Sequence, residues 1–194
     1  MKRTLLFVLA LVAVGCAEPI PRNLDDLSRQ GPQYLDPETL EPYSGPAYRM
    51  SEDDSRKIVL RVNLRDGRFH GDFEDFAPEK VEEDSGIYHT GTYQDGQREG
   101  PFENFYPSGV LRGRGTYENG LEEGPYESYY ESGAPRNKFT YVAGEQDGPF
   151  EVYFEGGQLQ SRGPFNMGKA CGEWFIEGEA YTYSPCPPGL EDGN

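Results

Sequence analysis

Short runs of alternating aromatic and polar residues recur along most of the chain. In residues 102–106, Phe102, Asn104 and Tyr106 share one side of an extended strand, because successive side chains of a strand point to opposite faces. Residues 57–64 alternate aliphatic and polar positions in the same way, which predicts a half-buried strand. Clusters of Gly, Pro, Asn and Asp bound these runs, as expected for hairpin turns. The pattern predicts an all-β protein.

The alternating runs repeat with a fixed period. Three Gly-Pro pairs begin at Gly100, Gly124 and Gly148, 24 residues apart, and two strands follow each pair. The same step reaches Gly172, where Trp174 takes the place of the first aromatic residue. A period of about 20–50 residues is the signature of a repeat architecture. We therefore expect an elongated antiparallel meander of stacked β-hairpins with a period of 24 residues.

The alternation also predicts which residues pair across each hairpin. If a four-residue tip joins the two strands, Leu111 and Tyr117 share the packed face with Phe102. An acidic residue then faces a basic one in every repeat, which predicts cross-strand ion pairs worth about 0.2–1 kcal/mol each. These pairs are Glu103 with Arg114, Glu127 with Lys138, and Glu151 with Arg162. Cation–π contacts are expected for Phe105 with Arg112 and for Tyr129 with Arg136. A catalytic role for the column of glutamates is the alternative.

The blocks between Gly91 and Phe165 resemble the MORN-repeat superfamily. Their shared pattern is Gly-x-Tyr, then Asp/Asn-Gly, then Glu-Gly-Pro-aromatic-Glu-x-aromatic-aromatic, then Gly. Weaker copies begin at Gly45 and Gly71, and with the terminal copy at Gly172 the resemblance covers roughly residues 40–183. The pattern is similar to the bacterial MORN-like variant known as the YwqK family of toxin–antitoxin modules. This resemblance implies binding or scaffolding and, for an antitoxin, a toxin held inactive.

The first residues have the features of an export signal. A basic start is followed by an apolar run, residues 5–14, which is too short to span a bilayer. The run ends in Ala13-Val14-Gly15-Cys16, which resembles the lipobox of bacterial lipoproteins, in which the thiol of the cysteine accepts diacylglycerol. We therefore predict a signal peptide over residues 1–15 and lipidation of Cys16, with an ordinary signal peptide and an incidental cysteine as the alternative. Ala17 carries no inner-membrane retention signal, which favours an outer-membrane anchor in a diderm host.

The rest of the chain divides into a tether, one domain and a tail. Residues 16–40 contain four prolines and scattered charges without a regular period, which favours a flexible tether after the lipidated cysteine. The repeat domain is assigned to residues 41–186 and is one domain by length. Residues 187–194 are expected to form a disordered tail.

Two further cysteines lie near the end of the chain. Cys171 falls in the last turn between repeats, and Cys186 follows the last aromatic strand. In an exported protein with Cys16 lipidated, a disulfide is the expected state of the two remaining thiols. Such a bond would cap the open end of the array, where the terminal repeat has no neighbour. Metal binding or a nucleophilic Cys171 is the alternative.

Acidic residues exceed basic ones, and the excess is concentrated in turns. The formal net charge is −16 at pH 7. The turns along one long edge carry carboxylates that the strand pairs do not use, among them Glu99, Glu122, Glu123 and Asp147. Such an edge repels nucleic acid and favours a basic protein surface or divalent cations. Solubility and protection of the sheet from aggregation are the alternative.

No motif for catalysis or for a cofactor occurs in the sequence. His70 and His89 lack the spacing of a metal-binding pair, and no nucleophile elbow or phosphate-binding loop is present. We therefore expect a non-enzyme. The leading hypothesis is a lipid-anchored envelope module that binds a basic protein, and a narrower form of it is an antitoxin or immunity protein. The alternatives are a structural spacer and a glycan-binding lipoprotein that stacks sugars on Phe105, Tyr129 and Tyr153.

Overall fold

The computed structural model describes residues 19–52, 57–76 and 88–187, and almost all of its regular structure is β. One short 3₁₀ helix spans Leu24–Asp26. In the part of the chain so described, no helix is long and apolar enough to cross a membrane. The strands, in chain order, are β1 (Arg22–Asn23), β2 (Ser28–Gln30), β3 (Gln33–Leu35), β4 (Gly45–Met50), β5 (Ile58–Arg65), β6 (Arg68–Phe69), β7 (Gly71–Asp75), β8 (Tyr88–Gln94), β9 (Gln97–Phe105), β10 (Leu111–Glu118), β11 (Leu121–Glu122), β12 (Gly124–Tyr129), β13 (Pro135–Val142), β14 (Glu145–Tyr153), β15 (Leu159–Asn166), β16 (Lys169–Ala170), β17 (Glu173–Ile176) and β18 (Glu179–Thr182).

The long strands follow one another across a single sheet. From β4 to β18 each long strand pairs antiparallel with the next one in the chain, and β6, β11 and β16 extend the turns beside β5, β10 and β15. At the other end of the sheet, β1 lies parallel to β4. The predicted antiparallel meander of hairpins is confirmed, with a repeat spacing of about 22–24 residues.

A glycine bends the first strand of each hairpin at the same place. Gly100, Gly124 and Gly148 have φ angles of 78°, 79° and 87°, which lie in the left-handed region that favours glycine. Each is followed by a proline whose fixed φ suits the straight segment that begins there. The recurring Gly-Pro pair therefore sets where each hairpin strand changes direction.

Aromatic rings on one face of the sheet form its core. On this inner face, Phe102 and Tyr117 are 4% and 6% exposed, and their ring centroids are 4.4 Å apart. The contacts continue along the sheet with Tyr126–Phe139 at 4.9 Å, Phe139–Phe150 at 5.5 Å and Phe150–Phe165 at 5.1 Å. Trp174 packs against Phe150 and Phe165 and so replaces the first aromatic residue of a repeat, as predicted. The rings of neighbouring strands thus cover one another in part, and Tyr126, Phe139, Phe150 and Phe165 stay half-buried.

Glycine at one place in the second strand lets a ring lie against the backbone. A Cβ atom on Gly115 would be 2.9 Å from the ring of Phe102, closer than van der Waals contact allows. Gly163 lies in the same way beneath the indole of Trp174. Phe139 stands at the equivalent place in the middle repeat, and its own ring fills the space between Tyr126 and Phe150.

The predicted register is correct in the strand centres and wrong near the tips. Arg114 lies opposite Glu103, and the same correspondence joins Glu127 to Lys138 and Glu151 to Arg162. A bulge between Leu111 and Gly113 adds one residue, so Leu111 lies opposite Phe105 rather than on the inner face. For the same reason Arg112 covers the ring of Tyr106 at 5.8 Å instead of meeting Phe105. In the next repeat Arg136 likewise covers Tyr130, at 5.6 Å, instead of Tyr129.

The flexible tether predicted for residues 16–40 is wrong from β1 onward. Leu24, Leu27 and Tyr34 are buried against Ala47, Val62, Leu64 and Phe73. Backbone bonds secure the segment, since the Tyr34 N–H donates to the Gly67 carbonyl at 2.8 Å. The segment contains no long helix or strand, but burial of these three apolar side chains is enough to hold it against the sheet. The folded domain therefore begins before residue 41, and Cys16 lies outside the described residues.

The C-terminal end contains the predicted disulfide. Cys171 and Cys186 are joined, with 5.0 Å between their Cα atoms, and both are buried. The indole N–H of Trp174 donates to the Cys171 carbonyl at 3.0 Å, which links the crosslink to the last large ring of the core. The predicted tail lies outside the described residues after position 187.

Candidate interaction surfaces

Three of the four carboxylates predicted to bind a partner hold turns of the protein itself. Glu99, Glu123 and Asp147 each accept a hydrogen bond from a backbone N–H twenty residues further on. The donors are Asn119 at 2.9 Å, Ala143 at 2.8 Å and Met167 at 3.1 Å. Each donor has a positive φ, of 52°, 50° and 44°, in the turn after the second strand. We call these three residues the clamp carboxylates.

The clamp carboxylates connect each repeat to the following one. They are half-buried, and each lies immediately before the glycine that bends its strand. A second bond runs parallel to each, because the glycine N–H of the next turn donates to a carbonyl of the preceding repeat, as Gly120 does to Arg98 at 2.9 Å. Their first role is therefore structural. The sequence alone does not reveal this role, because it shows that these carboxylates lie in turns but not which backbone N–H each one faces.

Glu122 differs from the clamp carboxylates and belongs to an exposed turn edge. Its carboxylate lies beside the hydroxyl of Tyr117, whose pKa is raised mainly by burial and further by this acid, with Arg98 opposing. Exposed acidic and apolar side chains surround it along the same edge. They are Glu118, Leu121, Val142, Glu145 and Met167.

A single row of side chains crosses the opposite, outer face of the sheet. The row follows directly opposed residues from strand to strand, beginning on β5 and ending on β15. We call it the charge ladder, and its members are Arg61, Glu74, Thr90, Glu103, Arg114, Glu127, Lys138, Glu151 and Arg162. Acidic and basic residues alternate along it except at Thr90.

The ion pairs of the ladder differ from the predicted ones. Arg114 binds the carboxylate of Glu127 in the next repeat, with Nη2 2.6 Å and Nε 3.0 Å from Oε2, rather than that of Glu103. The hydroxyl of Tyr129 donates to the same oxygen at 2.7 Å. These two donors, Tyr129 first and Arg114 second, lower the pKa of Glu127. Arg61 pairs with Glu74 at 3.0 Å. One cation therefore links two repeats instead of the two strands of one hairpin.

Aromatic side chains form a second row beside the ladder. Phe76 stacks on Tyr88 at 5.2 Å, and Tyr88 on Phe105 at 5.6 Å. Tyr129 and Tyr153 continue the row, each donating its hydroxyl to the glutamate two residues earlier. The structure thus places Phe105, Tyr129 and Tyr153 on one half-buried stripe of the outer face.

Prolines and threonines form a third row on the other side of the ladder. The row consists of Pro101, Thr116, Pro125, Thr140, Pro149 and Pro164. A groove of about 610 Å³ lies between Pro101 and Pro125, with Thr90, Glu103 and Arg114 among its lining residues. The Pro row was visible in the sequence only as strand starts, and the register is needed to see it as one wall of a groove.

Among the described residues, neither histidine belongs to a cluster of metal-binding side chains. His89 lies among the rings of Phe73 and Phe102, and its pKa is lowered to about 4 by burial and by Arg98. Within residues 19–52, 57–76 and 88–187, no group of three or more His, Cys, Asp or Glu side chains is placed to hold a metal ion.

Three segments of the chain, residues 98–119, 122–143 and 146–167, match the family described as the MORN repeat variant. These segments are three consecutive MORN repeats. Each covers a bent strand, a tip, the returning strand and the turn that receives a clamp carboxylate. No curated protein matches the chain. The MORN repeats indicate a repeat module of the kind used for protein binding. The narrower resemblance to YwqK-family antitoxins and the lipidation of Cys16 stay predictions.

Proposed function

We propose that this protein is a lipid-anchored binding module of the bacterial envelope, held in the outer membrane of a diderm host, and that it is not an enzyme. Its partner is a basic protein. In a narrower form of the proposal, the partner is a toxin, and this protein is the antitoxin or immunity protein that holds it inactive. The observation that carries the proposal is the outer face, where the charge ladder and its two flanking rows cross the MORN repeats without interruption.

The two faces of the sheet have different roles. The inner face is packed with its own rings, of which Phe102 and Trp174 are buried and those of the middle repeats half-buried. The outer face offers alternating charges between rings and prolines, a composition suited to polar recognition with apolar anchors. Protein binding is therefore assigned to the outer face, with the exposed turn edge as a second acidic surface.

Charge favours a basic protein over nucleic acid. The net charge of −16 becomes −18 if residues 1–15 are removed, because these contain Lys2 and Arg3 and no acid. Such a surface attracts basic proteins at low salt and repels phosphate backbones.

The anchor would hold the domain close to the membrane. Arg22 already pairs with β4, so only the residues between Cys16 and Arg22 separate the lipid from the sheet. The six Cα–Cα steps from Cys16 to Arg22 span at most about 20 Å when fully extended. The module would therefore act at the membrane surface rather than at the end of a long tether.

Site-specific photo-crosslinking of the full chain in its own envelope tests the proposal. A photoreactive residue at Thr140 samples the outer face, one at Glu118 samples the turn edge, and one at Ser132 at a hairpin tip serves as the control. We expect one basic protein to be captured from Thr140 and lost at high salt. Capture from no position would contradict protein binding, and capture from Ser132 alone would contradict the assignment to a face.

Fractionation tests the anchor separately. Cys16→Ser should move the protein from the membrane fraction to the soluble one, and an unchanged distribution would contradict lipid anchoring.

Glycan binding is the second candidate, supported by the aromatic row. Sugars stack on exposed ring faces, yet Arg114 already covers the ring of Tyr129 at 5.9 Å. The hydroxyls of Tyr129 and Tyr153 are also bonded to glutamates. Retention on peptidoglycan or polysaccharide columns that is lost in Phe105→Ser would favour this candidate over a protein partner.

A further inference from the structure

The charge ladder lacks one cation. Read from β5 to β15, its charges are positive, negative, neutral, negative, positive, negative, positive, negative and positive. The neutral member is Thr90 on β8, which stands between Glu74 and Glu103. Apart from Thr90 and these two glutamates, each internal member of the ladder lies between two residues whose charge is opposite to its own. We call this place the Thr90 gap.

The two glutamates beside the gap are not equivalent. Glu74 is paired with Arg61 at 3.0 Å on its other side. Glu103 lies opposite Arg114, but that guanidinium donates through both Nε and Nη2 to Glu127. Within the described part of the chain, the Glu103 carboxylate makes no hydrogen bond or close ion pair, Arg114 attracts it only at longer range, and the residue is exposed. The gap therefore has one carboxylate that is still available to a cation.

The gap opens into the groove of the outer face. Thr90 and Glu103 line this groove of about 610 Å³ together with Pro101, Thr116 and Pro125. Adjacent strands are about 4.8 Å apart, so Glu74 and Glu103 flank Thr90 with roughly 10 Å between their backbones. A cationic head group above Thr90 would be within reach of Glu103, and the ring of Pro101 on the neighbouring strand offers an apolar surface for an alkyl stem.

We propose that the Thr90 gap receives a lysine or arginine side chain from the protein partner, whose charge completes the alternation of the ladder. This inference rests on the proposed function, because it names the chemistry that the basic partner presents to the outer face. Charge complementarity carries it, since the same place in the following repeats is filled by the chain's own Arg114 and Lys138. Those repeats have no corresponding vacancy.

Two peptides test the gap without knowledge of the partner. One is a short acetylated peptide with a single central lysine in a glycine–serine context, and the other has norleucine in place of lysine. Backbone amide shifts of the full chain in detergent micelles at low salt report both affinity and location. We expect the lysine peptide to bind at least five-fold more tightly and to shift Thr90 and Glu103.

Matched variants locate the interaction. Glu103→Gln removes the available carboxylate, and Thr90→Lys fills the gap from the chain itself, so each should abolish the difference between the two peptides. Glu131→Gln removes the same charge at an exposed hairpin tip, and Gln94→Lys adds a lysine at the exposed end of the same strand. Both controls should keep the five-fold difference.

Equal binding of the two peptides would overturn the proposal. So would a lysine preference that survives Glu103→Gln but is lost in Glu131→Gln, because the cation would then bind the hairpin tip. In either case photo-capture of a basic protein from Thr140 would still support the proposed function. The experiments can therefore contradict the proposal for the Thr90 gap without contradicting the proposed protein-binding function.

Discussion

The two ends of the sheet are closed by different means. At the N-terminal end, Leu24 and Leu27 lie over strand residues such as Val62 and form a second apolar layer. At the C-terminal end, a disulfide between Cys171 and Cys186 closes the last repeat. The middle repeats need neither, because the rings of each hairpin pack on those of the next. A single-layer array is thus self-sufficient inside, whereas each terminal hairpin needs a replacement for its missing neighbour.

Cys171 also occupies the place of a clamp carboxylate. Steps of 24 residues connect Glu99, Glu123, Asp147 and Cys171. The first three reach forward to a backbone N–H of the next turn, and Cys171 reaches forward to Cys186. The covalent bond therefore takes over a connection that the inner repeats make with a carboxylate.

Loss of the N-terminal layer should reduce the stability of the protein more than any other change considered below. Leu24→Ala removes the most deeply buried of the large side chains, which is 2% exposed, and should lower the free energy of unfolding by about 3–4 kcal/mol. Urea denaturation measures this loss. Leu40→Ala, at a side chain that is 66% exposed, is the control and should change stability by less than about 0.5 kcal/mol. Equal effects of the two variants would contradict the second layer.

Loss of the disulfide should destabilise the C-terminal end of the sheet. The paired change Cys171→Ser and Cys186→Ser opens a loop with a sequence separation of 15 and should cost about 3 kcal/mol in the chain-entropy account. Hydrogen exchange should show β17 and β18 losing protection while β5 keeps it. A uniform loss of protection would indicate that the two ends are not independent.

Lowering the pH should decrease the free energy of unfolding through His89, which lies on β8 between the two ends of the sheet. The pKa of His89 is about 4 in the folded protein against an ordinary value of 6.5, so the unfolded chain binds the proton more readily between these values. The stability that neutral His89 provides is complete above pH 6.5 and is lost as the pH falls toward 4. We expect a decrease of about 1–2 kcal/mol after allowance for solvent screening. His89→Gln should flatten this part of the pH profile, and an unchanged slope would contradict it.

Removal of one clamp carboxylate should have the smallest effect. Glu123→Ala deletes the acceptor of the Ala143 N–H and should cost about 1 kcal/mol. Glu118→Ala removes an exposed carboxylate of the same charge from the turn edge and should be nearly neutral. Thermal denaturation of the pair separates the loss of the bond from the loss of charge.

The sequence predicted the fold well because period and alternation are local signals. A step of 24 residues and a two-residue alternation are enough to order the hairpins and to place Glu103 opposite Arg114. The bulge near Leu111 was missed because an extra residue near a tip leaves no mark on the alternation. The N-terminal layer was missed because Leu24, Leu27 and Tyr34 are apolar but follow no period.

The candidate site was predicted only in part. Phe105, Tyr129 and Tyr153 were correctly grouped, because residues at a common step share a face. The clamp role of Glu99, Glu123 and Asp147 depends on a turn N–H twenty residues away, which no local pattern reveals. The Thr90 gap likewise becomes visible only when the register of many strands is known.

The clamp carboxylates give the array a direction of growth. Glu99 reaches forward to Asn119, and Glu123 reaches forward to Ala143. A duplicated unit of 24 residues placed between them would bring its own carboxylate and its own turn N–H, so every existing connection would be kept. Descendants of this chain can therefore lengthen by internal duplication without a new solution to packing. The last unit differs, because its forward connection is the disulfide to Cys186 rather than a hydrogen bond from a carboxylate to a turn N–H.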